Sequence, residues 1–450
     1  MYLNRQISGK GNAAPEGLRE NGILKCLMAQ RKEESTMTQA QKKKLFGRDF
    51  TLMVAGQIIS LFGNAALRFA LSMAVLDLTG SAALFGVISA ISMVPTVLFS
   101  PFGGILADRV SKKRIMAALD FTTAGLLLLY ALAWGAKAPV LAIAVMLVAL
   151  SVIQSFYQPS VQSSIPLLVG EEHLMAANGV TVQVNALSNL LGPILGGLFY
   201  GFFGIAPILY VSVICFFLSA VMECFLHIPF EKREKKGNMF QLVRSEFGEA
   251  GRFFLRQQRP LLKLLFLAAG LNLFLSSMLT VGLPFLVKLY LGLSNQHYGF
   301  VEAAMGVGSI LGGLTAGLVA GKLPFTRAHL LLTASAVLTL PIGAAVLTAG
   351  APYLSYGVIL VSVTALMCCT TLFSVYAQTL IQKLTPEGLL GKVSSAVTVI
   401  CMCAFPLGQA LYGFLFDGAG GLSFLVVFLS AVFCFLISLM SRRALKQIEA

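Results

Sequence analysis

The sequence predicts an all-α membrane protein with twelve transmembrane helices in two pseudo-symmetric bundles of six. The mean hydropathy is +0.83 and 57% of the 450 residues are hydrophobic. A soluble protein of this size could not bury so much apolar surface. The apolar residues are gathered in runs of about 20 or more, which is the length that crosses a bilayer.

Twelve apolar runs follow one another along the chain, and each is predicted to be one membrane span. They are rich in Gly, Ala, Leu, Val and Phe, as packed membrane helices are. A membrane β-barrel would show short alternating segments instead. The predicted spans are approximately 50–77, 82–107, 115–135, 138–162, 178–202, 204–228, 261–290, 297–320, 328–349, 352–381, 393–416 and 421–440.

The placement of charge predicts the orientation of the chain. A net charge of +14 could suggest a nucleic-acid partner. With a cytoplasmic amino terminus, however, all of the 33 Lys and Arg except Arg68, Lys137 and Lys288 fall in cytoplasmic segments. Because cytoplasmic loops of membrane proteins collect Lys and Arg, the basic excess reports topology. We therefore expect a multi-pass plasma-membrane protein with both termini in the cytoplasm and no nucleic-acid partner.

The residues that usually carry catalysis or hold cofactors form no constellation. None of the eight cysteines belongs to a C-x-x-C pair, and most lie in predicted spans as small packing residues. The four histidines are scattered and match no metal spacing or catalytic triad. No Walker A motif indicates ATP use. We expect neither an enzyme nor a cofactor or metal.

A polar segment divides the spans into two groups of six. Shifting the sequence by 213 residues superimposes the two groups and places Pro193 on Pro406. Such parallel repeats place a substrate site between the halves. Residues 240–254 carry apolar positions at helical spacing and predict a helix on the membrane surface. The predicted organisation is 1–47 cytoplasmic tail, 48–228 first bundle, 229–260 linker with that helix, 261–440 second bundle and 441–450 cytoplasmic tail.

The first 36 residues show no apolar period and are expected to carry no folded domain. The codons of Lys32, Glu33 and Glu34 can spell a bacterial ribosome-binding sequence at a suitable distance from Met37. Translation is therefore expected to start at Met37. The alternative is a disordered cytoplasmic tail.

The loop after span 2 carries a specific motif. Gly104-x-Leu106-x-Asp108-Arg109 is followed by Lys112, Lys113 and Arg114. It resembles the loop 2–3 signature of the major facilitator superfamily. The resemblance covers about residues 40–445 and is greatest to bacterial drug-efflux members of the macrolide-efflux and enterobactin-exporter type. It implies alternating access by two six-helix bundles in a bacterial inner membrane, usually driven by an ion gradient.

The loop motif is interpreted as a latch that joins the cytoplasmic sides of the two halves in one state. Asp108 lies at a helix end, where it could bond to cations or to a neighbouring helix N-terminus. Asp120, about two turns into span 3, could pair with Arg109. The alternative is that the cations only report topology. The 213-residue shift aligns Asp108 with Gly321, so the second half lacks the acid.

Span 5 contains a second motif. Gly192, Pro193, Gly196 and Gly197 resemble the core of the motif associated with antiporters of the superfamily. Proline bends a helix and glycines open a flat packing surface. Ordinary small-residue packing is the alternative. Three glycines of span 8, at 313, 317 and 321, predict a similar packing face.

Ionisable groups inside spans are candidates for function. Glu302 lies roughly 8 Å inside the outer end of span 8, without a cation within four residues, and is the leading candidate for proton coupling. Arg68 could attract an anion, neutralise Glu302 or snorkel outward. For Glu223, snorkelling or pairing with His227 is expected instead of transport.

Polar residues of the spans that line the cavity in this family are candidates for substrate contacts, although each alone could equally satisfy a neighbouring helix. The predicted function is proton-coupled export of amphipathic organic compounds. The alternatives are an importer or symporter of a metabolite, or a receptor on the same scaffold. The expected partners are a small organic substrate, protons and membrane lipid, and the protein is expected to be a monomer. The cavity candidates are Asn64, Arg68, Gln154, Tyr157, Asn272, Tyr376 and Gln378.

Overall fold

A computed structural model describes residues 45–229, 248, 251–319, 324, 327–347, 351–386 and 389–449. The proposed start at Met37 and most of the predicted surface helix of the linker lie outside these residues. The described chain folds into long helices joined by short turns. We number the membrane helices α1 to α12: Arg48–Thr79, Ala82–Arg109, Lys112–Ala133, Val140–Leu168, Leu174–Phe203, Ile205–Cys224, Leu261–Tyr290, Asn295–Val319, His329–Leu347, Pro352–Leu384, Leu390–Ala419 and Ser423–Glu449.

The number of spans agrees with the sequence. Eleven helical segments are long and apolar enough to cross a membrane, and the last of them extends over Ala396–Leu445. This segment contains both α11 and α12, which a turn at Gly420–Leu422 separates. Counted separately, these two helices bring the described residues to the twelve predicted spans.

The outer surface is apolar where lipid would contact it. Leu132, Val361 and Leu318 expose 70%, 73% and 76% of their surface. A soluble monomer does not expose many large apolar side chains around its whole circumference. This surface is therefore suited to the hydrocarbon core of a membrane.

Local sequence explains the tight turns between helices. Gly80 ends α1 with φ of +59°, and Gly204 joins α5 to α6 with φ of +75°. Only glycine adopts these values without strain. Ser81 then caps α2, since its Oγ accepts the Leu84 N–H at 3.2 Å.

The same helix pairs pack in both halves. Helix α2 packs on α4 as α8 packs on α10, and α3 packs on α6 as α9 packs on α12. Helix α1 packs on α5 as α7 packs on α11. Between the bundles the main contacts are α2 with α11 and α5 with α8, which are equivalent under the predicted repeat. Each bundle is therefore one packed unit, and four helices form most of their interface.

Helix α7 departs from regular α geometry at two places. Wide turns with i→i+5 hydrogen bonds replace the α pattern at Asn272–Ser276 and Phe285–Tyr290. Wide turns of this kind often occur at functional sites. The first turn lies in the middle of the span, beside the cavity described below.

Candidate functional site

The two faces of the molecule differ, and we name them by their turns. The closed face carries the turns α1–α2, α3–α4, α5–α6, α7–α8, α9–α10 and α11–α12. The cavity face carries the opposite ends of the twelve helices and both ends of the described chain. Positive-inside charge bias predicts that the cavity face is cytoplasmic.

Asp77, at the closed-face end of α1, joins the two bundles. Its carboxylate pairs with the Nζ of Lys288 on α7, whose side chain is only 6% exposed. It also accepts a hydrogen bond from the Nδ2 of Asn295 on α8 at 3.2 Å and from the Oη of Tyr200 on α5 at 2.9 Å. One carboxylate therefore holds two helices of the second bundle against the first.

A second carboxylate makes a similar bridge at α11. Asp417 accepts the backbone N–H of Ala82 at 2.6 Å and the hydroxyl of Ser81 at 2.5 Å. It thus caps the N-terminus of α2, where the helix dipole favours an anion. Asp77 and Asp417 together close this face from both sides of the bundle interface.

Glycines bring the same helices together below these bridges. A Cβ on Gly86 of α2 would lie 2.4 Å from the backbone oxygen of Gln409 on α11. A Cβ on Gly197 of α5 would lie 2.8 Å from the Cα of Gly299 on α8. Such approaches exclude any side chain, so the bundles are in backbone contact towards the closed face.

A central cavity lies beyond these contacts. Its volume is about 680 Å³, within the range of small-molecule sites. Most of its wall comes from α7, α10 and α11 of the second bundle, and Met93 of α2 is the lining residue from the first bundle. The polar lining residues are Asn272, Ser276, Thr370, Thr371, Ser374, Gln378, Gln382 and Thr398.

The lining mixes hydroxyl and amide groups with apolar and aromatic side chains, among them Phe373 and Phe405, and contains no charged side chain among the described residues. Two of the predicted cavity residues, Asn272 and Gln378, lie on this wall. Tyr376 does not: it is 8% exposed and belongs to the hydrophobic core of the second bundle.

The predicted cavity residues of the first half lie inside its own bundle. The guanidinium of Arg68 bonds to Asn64 Oδ1 at 3.2 Å and to Ser151 Oγ at 3.0 Å, which joins α1 to α4. Of the three roles that the sequence left open for Arg68, outward snorkelling does not occur here, because its guanidinium is bonded inside the first bundle. Asn64, Gln154 and Tyr157 line a separate small cavity.

The same interior holds two acids, and here the structure corrects the sequence analysis. Glu223 is 1% exposed and accepts a hydrogen bond from the hydroxyl of Tyr157 at 2.7 Å, so it does not snorkel. His227 pairs instead with Asp49 at 3.7 Å. Asp120 is 2% exposed, and its side-chain hydrogen-bond partner is Ser219 rather than a cation of the loop motif.

Glu302 lies at the interface between the bundles. It accepts a hydrogen bond of 2.5 Å from Tyr298, one turn earlier on α8, and the ring of Tyr298 stacks on Phe69 of α1 at 5.5 Å. Gly299 and Gly306, on the same helix face by their spacing, pack against α5. The acid is therefore half-buried where the bundles touch towards the closed face.

The loop motif lies on the cavity face. Helix α2 ends at Arg109, and only Val110 and Ser111 precede α3. Lys112, Lys113 and Arg114 thus form the first turn of α3, where the helix dipole disfavours cations. Helix stability does not account for them, which leaves topology and the latch as their explanations. A Cβ on Gly104 would meet no heavy atom within 4 Å.

The antiporter-like motif packs on two partners at once. A Cβ on Gly192 would lie 2.2 Å from Cβ of Ala65, and one on Gly196 would lie 2.9 Å from the backbone oxygen of Ala66. These two glycines face α1 in the same bundle. Gly197 faces α8 across the interface, and Pro193 lies inside the helix between them.

The predicted glycine face of α8 is wrong for this conformation. Gly313 and Gly317 have no heavy atom within 4 Å of an added Cβ, and Gly321 lies outside the described residues. Gly308 and Gly312 make the close contacts instead, with Cβ positions 2.2 Å and 2.5 Å from backbone oxygens of α10.

Sequence reasoning missed the carboxylates of the closed face. Asp77 and Asp417 lie at helix ends, where an exposed acid is ordinary, and their partners are distant in the chain. A usable signal was present: Lys288 is a cation on the face where positive-inside bias disfavours one, so a partner was to be expected.

Comparison with known proteins completes the description. A sequence profile of the Major Facilitator Superfamily matches residues 53–409. Macrolide efflux protein A of Streptococcus pyogenes is 27% identical over 82% of this chain and 90% of its own length. Enterobactin exporter EntS of Salmonella choleraesuis is 27% identical over 69% of this chain and 72% of its own. A solved bacterial homologue of the lysosomal transporter Spinster shares the fold, with a TM-score of 0.68 and 13% identity over 90% of this chain and 98% of that one.

Proposed function

We propose that this chain, which belongs to the Major Facilitator Superfamily, exports amphipathic organic compounds in exchange for protons by alternating access. The central cavity is the observation that carries this proposal. It is lined by the second bundle and by Met93 of the first, and it offers neutral hydrogen-bonding groups beside apolar and aromatic surface. Large molecules with scattered polar groups suit such a wall, because no single ion pair selects one of them.

The likeness to a macrolide efflux protein and an enterobactin exporter supports the direction of transport and the substrate class. Both names describe large organic molecules that leave the cell. Macrolide-like and siderophore-like compounds are therefore the first candidates. The cavity face is taken as cytoplasmic, so the cavity described here loads substrate from inside the cell.

Glu302 is proposed to carry the coupling proton. It is half-buried at the contact that must open when the closed face opens, so its access to water changes with the conformation. A carboxyl group that is less exposed to water in one state than in the other binds its proton differently in the two states, and this difference couples a gradient to transport.

The test uses purified protein in liposomes with an imposed pH gradient. We expect Glu302→Gln to lose gradient-driven accumulation of a labelled macrolide while it keeps exchange of labelled for unlabelled macrolide, since exchange requires no net proton movement. Tyr298→Phe, which retains the carboxyl group, is the matched control and should remain coupled. Full coupling in Glu302→Gln would overturn the role of this residue. Failure of the wild type to exchange a macrolide or enterobactin would overturn the proposed substrates.

A further inference from the structure

A pair of carboxyl groups is buried inside the first bundle, and the proposed mechanism does not use it. Asp120 lies on α3 and Glu223 on α6, and the two are 2% and 1% exposed. Tyr157 of α4 lies near both acids: its hydroxyl donates to Glu223 at 2.7 Å, and its side chain lines one small cavity together with Asp120. The negative charges of the two acids therefore repel each other. One oxygen of each, Asp120 Oδ2 and Glu223 Oε2, has no hydrogen-bond partner.

A small cavity adjoins this pair. Its volume is about 10 Å³, close to what one water molecule needs. Asp120 and Tyr157 line it together with Ser60 and Asn64 of α1. Several polar groups around a water-sized space give a water molecule the partners it requires, whereas an organic molecule does not fit. The ligand of this site is therefore water or a proton.

The surrounding groups do not neutralise two negative charges. Tyr157 donates to Glu223, and Ser219 is the partner of Asp120. Among the described charged groups nearby, Arg68 is engaged by Asn64 and Ser151 further along α1 and α4. At the cavity face, Asp49 pairs with His227. Two buried carboxylates that repel each other, with no facing cation among the described residues, cannot both stay ionised, so they keep a proton.

The hydrogen bonds give each carboxyl group a hydroxyl partner. The single hydroxyl proton of Ser219 is divided between the backbone oxygen of Gly56, at 3.1 Å, and Asp120. Tyr157 donates to Glu223. Neither contact fixes the proton on one residue, so the retained proton belongs to the pair.

We propose that Asp120, Glu223 and Tyr157 form a proton-binding site inside the first bundle, distinct from Glu302. In this conformation the two carboxyl groups hold one proton between them. The site lies towards the cavity face, since Glu223 is one residue from the end of α6, whereas Glu302 lies towards the closed face. When the proton leaves, the O–H bond of the protonated carboxyl group breaks and a water molecule entering the small cavity accepts the proton. The two carboxylates that remain repel each other until more water enters.

The proton is tested directly on purified protein in lipid, without a transport assay. Infrared spectra at neutral pH should contain the carbonyl absorption of a protonated carboxyl group. In Asp120→Asn the intensity of this absorption should decrease by the amount that about one protonated carboxyl group contributes. Glu302→Gln is the matched control, and the band that Asp120→Asn removes should remain in it. An unchanged band in Asp120→Asn would overturn the proposal.

A second variant keeps the test valid if Asp120→Asn does not fold. Tyr157→Phe removes only the hydroxyl that stabilises the Glu223 carboxylate. Without this donor the pair should hold its proton more on Glu223, which shifts the frequency of the band and makes it more sensitive to Glu223→Gln. An identical band in Tyr157→Phe would contradict the assignment. Because no substrate or gradient is used, these outcomes are independent of whether the protein exports macrolides.

Discussion

The closed face and the cavity face differ in how closely the same helices approach. On α2, an added Cβ at Gly86 would collide with α11 at 2.4 Å, whereas one at Gly104 would meet nothing within 4 Å. On α8, Gly299 touches α5, whereas Gly313 has open space around it. Each helix thus carries glycines at both ends, and those near the closed face are the ones that contact the other bundle.

This difference gives a reason for the unused glycines. A glycine in open space on a helix costs up to about 1 kcal/mol relative to alanine and contributes nothing to packing in this state. If the bundles rock about the central cavity, the cavity face closes and these glycines come into contact. The loop motif next to Gly104 would then act in the state that is not seen here.

The largest expected effect comes from breaking the bridge at Asp77. Asp77→Asn leaves the nearly buried ammonium of Lys288 without its carboxylate. Removal of one partner from a buried pair costs about 3–5 kcal/mol, less where the pair is partly exposed as here. We expect the closed face to open and transport to fall by more than about tenfold. Spin labels on the α1–α2 and α11–α12 turns, in a background without native cysteines, should show a longer distance.

The control removes both charges together. Lys288→Met combined with Asp77→Asn leaves no unpaired charge, so the labels should return towards the original distance. A double variant as open as Asp77→Asn alone would show that the charge pair does not hold this face. The single variants Asp77→Asn and Lys288→Met and the double variant form a double-mutant cycle. This cycle isolates the interaction energy between the two side chains.

Asp108→Asn addresses the opposite face and should have a smaller effect. The variant keeps the size of the side chain and removes the charge that the latch requires. A charge-assisted hydrogen bond contributes about 1.5–3 kcal/mol, so we expect roughly tenfold slower transport at an unchanged protein level. The label distance at the closed face should not change. Normal transport by this variant would contradict the latch role and leave membrane orientation as the function of the charges in the loop motif.

The sequence predicted the fold well because hydropathy and charge are read one residue at a time. The twelve apolar runs and the charge bias of the loops between them can be identified without knowing which distant residues are in contact. It failed for Glu223 because four-residue spacing suggested His227, while the actual partner, Tyr157, comes from another helix 66 residues away. The bridges of Asp77 and Asp417 were missed for the same reason: their partners are more than 100 residues away in the chain.

The smallest expected effect on transport comes from Gly104, which is compared with its neighbour Gly103 next to the loop motif. A Cβ on Gly103 would lie 2.2 Å from the backbone oxygen of Ser155, inside the first bundle, so Gly103→Ala should destabilise the fold itself. Gly104→Ala meets nothing here and should leave thermal stability unchanged or raise it by up to about 1 kcal/mol. If Gly104 packs only when the cavity face closes, Gly104→Ala should slow transport a few-fold at full stability. Thermal unfolding and transport measured on both variants separate these roles, and unimpaired transport in Gly104→Ala would show that α2 makes no close contact at this residue in either state.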